Sequence, residues 1–419
     1  MRLACSECAA EAAPDSLFCS ICSGLLEFRL DQAAHDARAL KVAFKERRTS
    51  NDSLDLSGVW RFRELLPQIP AEHVVTLREN VVPTYRAQTA TAYADVTRLS
   101  YLHLGLNPTA SFKDAGMTVA ISHARSLGAR VAICASTGNT AASMAAYAAR
   151  AGMIAIVLVP AGAISEAKMA QTLDYGATVV AIDGDFDRAL AIVRGLDPGR
   201  VAIVNSVNPY RIEGQKCAGF VLLESRYWSS PDWLILPGGN LGNSSAFGKG
   251  FREALALGLI DRIPKIGVVQ ASGAAPFAKL FHDGGDLVPV KAETDATAIR
   301  IGAPASWRKA LAEVRASGGT VTTVTDEEIA EARAIVGSDG IGCEPASAAS
   351  LAGLRRLRKD GTIERDDDIV LVLTGHMLKD SAYAAAFHAS RERLANKIVR
   401  ISREDSLRAL IEKAGAVYA

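Results

Sequence analysis

Between residues 131 and 373 the chain carries a series of short, almost unbroken Val/Ile/Leu runs separated by helix-length stretches. The runs are Val131–Ala135, Ile154–Val159, Val179–Ile182, Val201–Val204, Trp233–Leu236, Ile266–Val269 and Ile369–Leu373. A strand with one wet face alternates apolar and polar residues, so a run that is apolar at every position needs both faces covered. The segments between supply the cover: alanine-rich 139–151 reads as a helix, and so does 165–174. The pattern predicts an α/β chain with parallel-rich sheets. Two blocks of such strands flank residues 205–215, which predicts two α/β domains with a cleft between them. Ligands of open parallel sheets sit beyond the C-terminal ends of the strands, where residues 136–140 and 238–243 fall.

The 419 residues suffice for two core-bearing domains and a small appendage, and 49% of them are apolar. Lys plus Arg number 47 against 46 Asp plus Glu, a net charge of +1, so there is no electrostatic case for nucleic acid or an anionic membrane as partner. No apolar run approaches the roughly 20 residues of a membrane helix. The start, Met1-Arg2-Leu3-Ala4-Cys5, lacks the apolar core of a signal peptide, so a cytoplasmic location is expected.

Four of the seven cysteines crowd the first 22 residues as Cys5-x2-Cys8-x10-Cys19-x2-Cys22. In a cytosolic chain two such knuckles read as four thiolates around one structural zinc, with no coordination position left open for catalysis. The expected organisation is a zinc-ribbon-like segment (1–30), a core (31–400) and a C-terminal tail (401–419). Residues 31–55 read as a helix followed by a linker. Within the core, about 125–210 form the smaller α/β domain, and 54–124 join 211–400 in the larger.

Three polar segments carry the chemistry. Asn107-Pro108-Thr109-Ala110-Ser111-Phe112-Lys113-Asp114 places a lysine among turn residues and an acid, the setting of a pocket amine. Alone, Ser-x-Lys would read as a solvated loop lysine. Pro237-Gly238-Gly239-Asn240-Leu241-Gly242-Asn243 follows a strand and opens a helix, where glycines admit an oxyanion to successive N–H groups. Ser136-Thr137-Gly138-Asn139-Thr140 also joins strand to helix; its donors suit a carboxylate, and Thr137 or Asn139 could equally cap the helix.

Together these segments resemble the lysine loop, phosphate cup and substrate-carboxylate loop of pyridoxal-phosphate (PLP) enzymes of fold type II, and most closely those of the threonine synthase family. Val204-Asn205-Ser206-Val207-Asn208-Pro209-Tyr210-Arg211, Leu373-Thr374-Gly375-His376-Met377-Leu378-Lys379-Asp380, Thr297–Trp307 and Cys343–Ser350 extend the resemblance from about Leu54 to about Asp380. It implies that Lys113 binds the cofactor aldehyde and moves protons. Gly239, Asn240, Leu241, Gly242 and Asn243 would hold the cofactor phosphate. Asn139 would bond its phenolic oxygen, and Thr374 its pyridine nitrogen. Ser136, Thr137 and Thr140 would hold the substrate carboxylate or neighbouring oxygens. Asn205, Ser206 and Arg211 would hold a substrate phosphate, a contact that suits a guanidinium, although Arg211 could instead pair with Glu213. His376 reads as structural at least as readily as catalytic. The implied protein is a homodimeric lyase acting on a small phosphorylated amino acid, converting O-phospho-L-homoserine and water to L-threonine and phosphate.

Three positions depart from the family pattern. Ala115 stands where an arginine is usual after Lys-Asp, Glu79-Asn80-Val81-Val82-Pro83-Thr84 replaces Glu-Gly-x-Thr-Pro-Leu, and Met377 replaces a glycine. They leave two other readings in view. One is a PLP-dependent dehydratase or β-replacement enzyme on another hydroxy or phospho amino acid, within which Asn205 and Arg211 favour a phosphorylated substrate over plain serine. The other is a catalytically silent binding protein, against which Lys113 weighs.

Overall fold

A computed structural model describes every residue except 164, 165, 185, 197–200, 392, 393, 397, 399–410 and 413–419. The chain divides into a unit Met1–Asp380 and a unit Ser381–Ala419. The second begins with the helix Ser381–Ser390; of the expected tail at 401–419, all but residues 411 and 412 lies outside the described residues.

The described residues form twelve strands: β1 (Arg2–Cys5), β2 (Leu26–Arg29), β3 (Thr84–Arg86), β4 (Arg98–His103), β5 (Val131–Ala135), β6 (Ile154–Pro160), β7 (Thr178–Ile182), β8 (Ala202–Ile203), β9 (Trp233–Pro237), β10 (Lys265–Ala271), β11 (Thr320–Val324) and β12 (Asp368–Leu373). β1 and β2 pair antiparallel near the N-terminus. Four strands in the order β7-β6-β5-β8 make an all-parallel sheet, and six in the order β11-β10-β9-β12-β4-β3 make a larger one, parallel except for β3 at its edge.

Strand β12 shows why the apolar runs are unbroken. Val370 and Val372 enter one core cluster, while Ile369, Leu371 and Leu373 enter the cluster on the opposite face. β5 does the same in the smaller sheet, with Ala132 and Cys134 on one side and Ile133 and Ala135 on the other. Each large aliphatic side chain so buried contributes about 1.5–3 kcal/mol. Helices cover both faces, and the one at Asn139–Ala151 lies where its alanines predict it.

Three strands of the large sheet escape the apolar-run reading, among them the short polar edge strand β3. β4 is interrupted by Arg98, Ser100 and His103, yet it pairs with β12 along its whole length from far earlier in the chain. β11 is threonine-rich because it is an edge strand, paired to β10 on one side only.

The helices Lys113–Ser126 and Pro209–Ser225 cross in contact through glycines. A Cβ on Gly214 would lie 1.8 Å from the Ala115 carbonyl oxygen, and one on Gly116 would lie 2.7 Å from that of Arg211. Neither backbone oxygen can swing away. Gly214→Ala is therefore expected to destabilise the protein by about 3 kcal/mol, at the upper end of overpacking, read as a lowered denaturation midpoint in urea.

Candidate active site

Five strands deliver their C-terminal ends to one region. Ser136 follows β5, Asn205 and Ser206 come shortly after β8, Gly238 follows β9, Thr374 follows β12, and β4 leads through Leu104–Leu106 to the lysine loop. That loop is pinned to the end of β12. Phe112 N donates to Thr374 O at 2.9 Å, and His376 N donates to Ala110 O at 3.0 Å.

Lys113 opens its helix and keeps part of its side chain accessible, with the amine 4.0 Å above the Phe112 ring. Desolvation first, and the nearby Arg211 cation second, depress its pKa to about 7, while Glu344 pulls the other way. The amine gives up its proton far more readily near pH 7 than an ordinary lysine, which is almost fully protonated there. Arg211 and Lys113, nearly a hundred residues apart in sequence, come near enough in the fold for one charge to act on the other. Beside them Asp114 is buried, and burial raises its pKa to about 6 despite bonds from Thr109 and Ser143. Those bonds are Thr109 N at 2.7 Å, Thr109 Oγ1 at 2.5 Å and Ser143 Oγ at 2.6 Å. Ala115 brings no cation to this acid, and the hydroxyls serve it instead.

The glycine loop has an open helix start. The helix Gly242–Ala256 takes Leu241 as N-cap in the left-handed region (φ 63°), and no side chain caps it. A leucine at positive φ is strained, and such strain gathers at ligand loops. Nearby, both amide atoms of Asn243 and the Ser244 hydroxyl are buried without a protein partner. Gly238 is demanded by packing, since a Cβ there would fall 2.6 Å from Val268 Cγ1. At Gly239 the closest approach would be 3.0 Å, to Ala298 O, whereas at Gly242 nothing lies nearer than 3.7 Å. Glycine at 242 thus leaves the approach to the first helical amides unblocked. Asn240 fixes the loop's outer side: its Nδ2 donates to Ser206 Oγ at 2.6 Å, and its Oδ1 accepts from Ala305 N at 2.5 Å.

Arg211 is 1% exposed. Its Nη1 donates to Val204 O at 3.1 Å, and its Nε has no partner. Burial lowers its pKa to about 10. Glu213 does not pair with it, but bonds Lys216 at 2.5 Å and Lys249 at 3.3 Å. Among the described residues no carboxylate pairs with it, and a buried guanidinium without one is costly unless an anion completes it. Asn205 bonds the Ala135 backbone through both amide atoms, at 3.2 and 3.0 Å, which leaves one amide hydrogen to give. Ser136, Thr137, Asn139 and Thr140 are half-buried around the start of the Asn139–Ala151 helix. Gly138 is its N-cap and no side chain caps it, so neither Thr137 nor Asn139 is consumed in capping.

Glu344 is the site residue that the sequence left without a role. Its carboxylate is 4% exposed and accepts from Asn139 Nδ2 at 3.0 Å and Thr374 Oγ1 at 3.0 Å. Burial raises its pKa. Ser347 completes the group, 2.9 Å from the Thr374 hydroxyl. One carboxylate thus joins Asn139 and Thr374. The sequence signal was an acid directly before the Pro345 that opens a helix, within an apolar alanine-rich stretch.

At the N-terminus the four thiols converge. Cys5 and Cys22 Sγ are 3.4 Å apart, Cys8 Sγ lies 3.5 Å from both Cys19 and Cys22, and all four lie within 4.8 Å of one another. A tetrahedral Zn–S₄ centre has sulfurs about 3.8 Å apart, so the donor set fits. Backbone amides of Glu7 and Ile21 donate to Cys5 and Cys19 at 3.3 and 3.4 Å. Hydrogen bonds from the Cys22 and Ile21 amides bring the Cys19 thiol down to about 7.

The departures at 79–84 and 377 are accommodated locally. Asn80 has φ 61°, a left-handed position that asparagine tolerates best after glycine. Glu79 is buried under bonds from Thr76, the Leu77 amide and Tyr147. Met377 lies over Gly342, where a Cβ would meet its sulfur at 2.2 Å.

Residues 75–375 match the profile of the family described as pyridoxal-phosphate dependent enzymes. Threonine synthase of Methanosarcina acetivorans is 44% identical over 385 residues, 90% of this chain and 92% of that protein. The threonine synthase of Synechocystis is 48% identical over 325 residues, 76% of this chain and 82% of its own. Among solved structures, threonine synthase from Escherichia coli aligns at TM-score 0.66 and 20% identity, covering 98% of this chain and 94% of that one. The processed threonine deaminase isoform 2 of Solanum lycopersicum aligns at TM-score 0.65 and 20% identity, covering 83% and 96%. At such identities the structural likeness speaks for the fold alone. Fold and family match together define a pyridoxal-phosphate dependent lyase of fold type II. Within that class the chain belongs to the threonine synthase family.

Proposed function

We propose that this chain converts O-phospho-L-homoserine and water to L-threonine and phosphate. The carrying observation is the buried Arg211 guanidinium, without a carboxylate partner among the described residues and near enough to the Lys113 amine to lower its pKa. An anion-demanding cation near a lysine of depressed pKa suits a phosphorylated amino acid better than serine or threonine.

The residues present fit the cofactor. Lys113 is the amine for its aldehyde. Gly239, Asn240, Leu241, Gly242 and Asn243 offer the uncapped helix start and unpartnered amide to its phosphate, Asn139 serves its phenolic oxygen, and Thr374 its ring nitrogen. Glu344 holds Asn139 and Thr374 in place. When bound, pyridoxal phosphate supplies an electron sink for charge that develops beside the amino group. Ser136, Thr137 and Thr140 orient the substrate through its carboxylate. Lys113, near neutral, takes a proton from the carbon next to the amine and can return one further along the chain. Arg211, Ser206 and Asn205 hold the phosphate as it leaves from Cγ, and water adds at Cβ. The test is a substrate panel. Phosphate release with O-phospho-L-homoserine is expected to exceed oxo-acid formation from serine or threonine by at least about 100-fold, since a site built around a charged contact rejects analogues lacking it. Faster oxo-acid formation overturns the proposal in favour of a dehydratase.

The same reading includes a structural zinc on Cys5, Cys8, Cys19 and Cys22, a homodimer, a cytoplasmic setting, and a larger and a smaller α/β domain around the cleft. Neither nucleic acid nor a membrane is a partner in it; among the described residues no helix is long and apolar enough to cross a membrane. Protein purified without chelator is expected to carry one zinc per chain by elemental analysis, and Cys5→Ser with Cys8→Ser to lose it. Zinc retained by that double variant removes the cysteines from the assignment.

A further inference from the structure

Arg211 lies on the first turn of the Pro209–Ser225 helix between Tyr210 and Glu213, and these two neighbours reach the N-terminal cysteine segment, Tyr210 directly and Glu213 through Lys249. Tyr210 is 4% exposed, and its side chain leaves the helix about 100° around the axis from that of Arg211. Its hydroxyl donates to Pro14 O at 3.1 Å. The Phe28 ring meets it edge-on at 4.8 Å, and the His123 ring stacks on it at 3.6 Å. His123 belongs to the helix that Lys113 opens.

A second tie lies one turn further on. Glu213 bonds Lys249, and Lys249 donates to the Phe28 carbonyl in β2. Lys249 and Lys216 share Glu253, at 2.8 and 2.7 Å, in a group of four charges that are almost wholly buried. Lys309 donates to the Leu26 carbonyl at 2.5 Å. The segment meets the catalytic core through backbone carbonyls of its own strand and loop, and these are in place only when the segment is folded. Its buried apolar side chains are few, Leu3, Leu26 and Phe28 with Cys5 and Cys19 among them. So small a core leaves a two-stranded sheet marginal, so a bound metal would add much to its hold on the core.

We propose that the metal-bound ribbon is the positioning device of Arg211, acting through Tyr210, so that metal occupancy sets the affinity of the site for the substrate's phosphate. The cofactor cradle is tied to the ribbon further from its binding atoms: Lys249 lies two turns into the Gly242–Ala256 helix, and His123 nearly three turns beyond Lys113. Tyr210 is a positioning residue, and it touches neither substrate nor cofactor. The inference rests on the assignment of Arg211 to the phosphate.

The experiment uses the cofactor-loaded full chain and inorganic phosphate as probe. Phosphate binding is read by calorimetry and hydrogen exchange over residues 205–213 by mass spectrometry, with and without zinc. Removing zinc is expected to weaken phosphate binding at least about ten-fold, within the usual range of coupling between sites. It should raise the KM for O-phospho-L-homoserine in step, speed exchange at 205–213, and leave kcat and the cofactor's visible absorbance unchanged; zinc added back restores the binding. Tyr210→Ala is expected to reproduce the zinc-free values with zinc bound, and Tyr210→Phe, which lacks only the bond to Pro14, to weaken binding by about five-fold. Phosphate affinity untouched by zinc removal and by Tyr210→Ala overturns the inference, as does loss of cofactor absorbance together with phosphate binding, which would show collapse of the whole site. Arg211→Ala in zinc-loaded protein separates the two claims. If it leaves phosphate binding intact, the assignment of Arg211 fails; if it weakens binding while zinc removal does not, only the coupling fails.

Discussion

Replacing Lys113 by alanine is expected to lower kcat by more than about 10³-fold, because one amine both holds the cofactor and moves the protons. The visible absorbance of lysine-linked cofactor should vanish in the same variant. Borohydride reduction of the unaltered protein should fix the cofactor on a peptide containing Lys113. The competing lysine is Lys379, also desolvated and facing Glu344 and Asp114, and bonded to Gln171. Cofactor trapped on Lys379, or a persistent band in Lys113→Ala, removes Lys113 from its role. The expectation rests on burial and on the Arg211 cation, which together bring the amine to about pH 7.

Arg211→Ala is expected to reduce kcat/KM for O-phospho-L-homoserine by roughly 30- to 900-fold, the equivalent of roughly 2–4 kcal/mol of lost charged contact. The cofactor absorbance should not change, since among the described residues the side chain bonds Val204 O and no cofactor-site residue. Arg211→Lys should recover part of the loss, because it restores charge without the planar two-point fork. A cofactor-loaded Arg211→Ala variant with full kcat/KM would mean that the buried guanidinium serves packing.

What the sequence made legible follows from how each feature is built. The central strands were readable because both faces of β5, β9 and β12 are buried, so every position is apolar. β4 was not, because its polar ends serve the site and its neighbour: His103 lies 3.0 Å from Gly342 O, and Arg98 bonds Asp366. The polar loops were readable because three of them together, in order and at strand ends, resemble one family, whereas each alone also reads as a turn, a cap or a solvated loop. Glu344 was not, because its meaning lies in two partners that the fold brings from 205 and 30 residues away. Arg211 was ambiguous in sequence between Glu213 and a ligand; the fold removes the first alternative by giving Glu213 to Lys216 and Lys249. The ties between the cysteine segment and the core were hidden because their acceptors are backbone carbonyls, which no residue type announces.

The reaction itself is tested most directly by supplying O-phospho-L-homoserine in water enriched in oxygen-18. Cleavage at Cγ with water added at Cβ requires that the solvent oxygen appear in the hydroxyl of L-threonine and that phosphate leave with its own oxygens, one per threonine formed. Homoserine accompanied by labelled phosphate would show attack at phosphorus instead, and would contradict the assignment of Lys113 and Arg211 to a carbon–oxygen lyase.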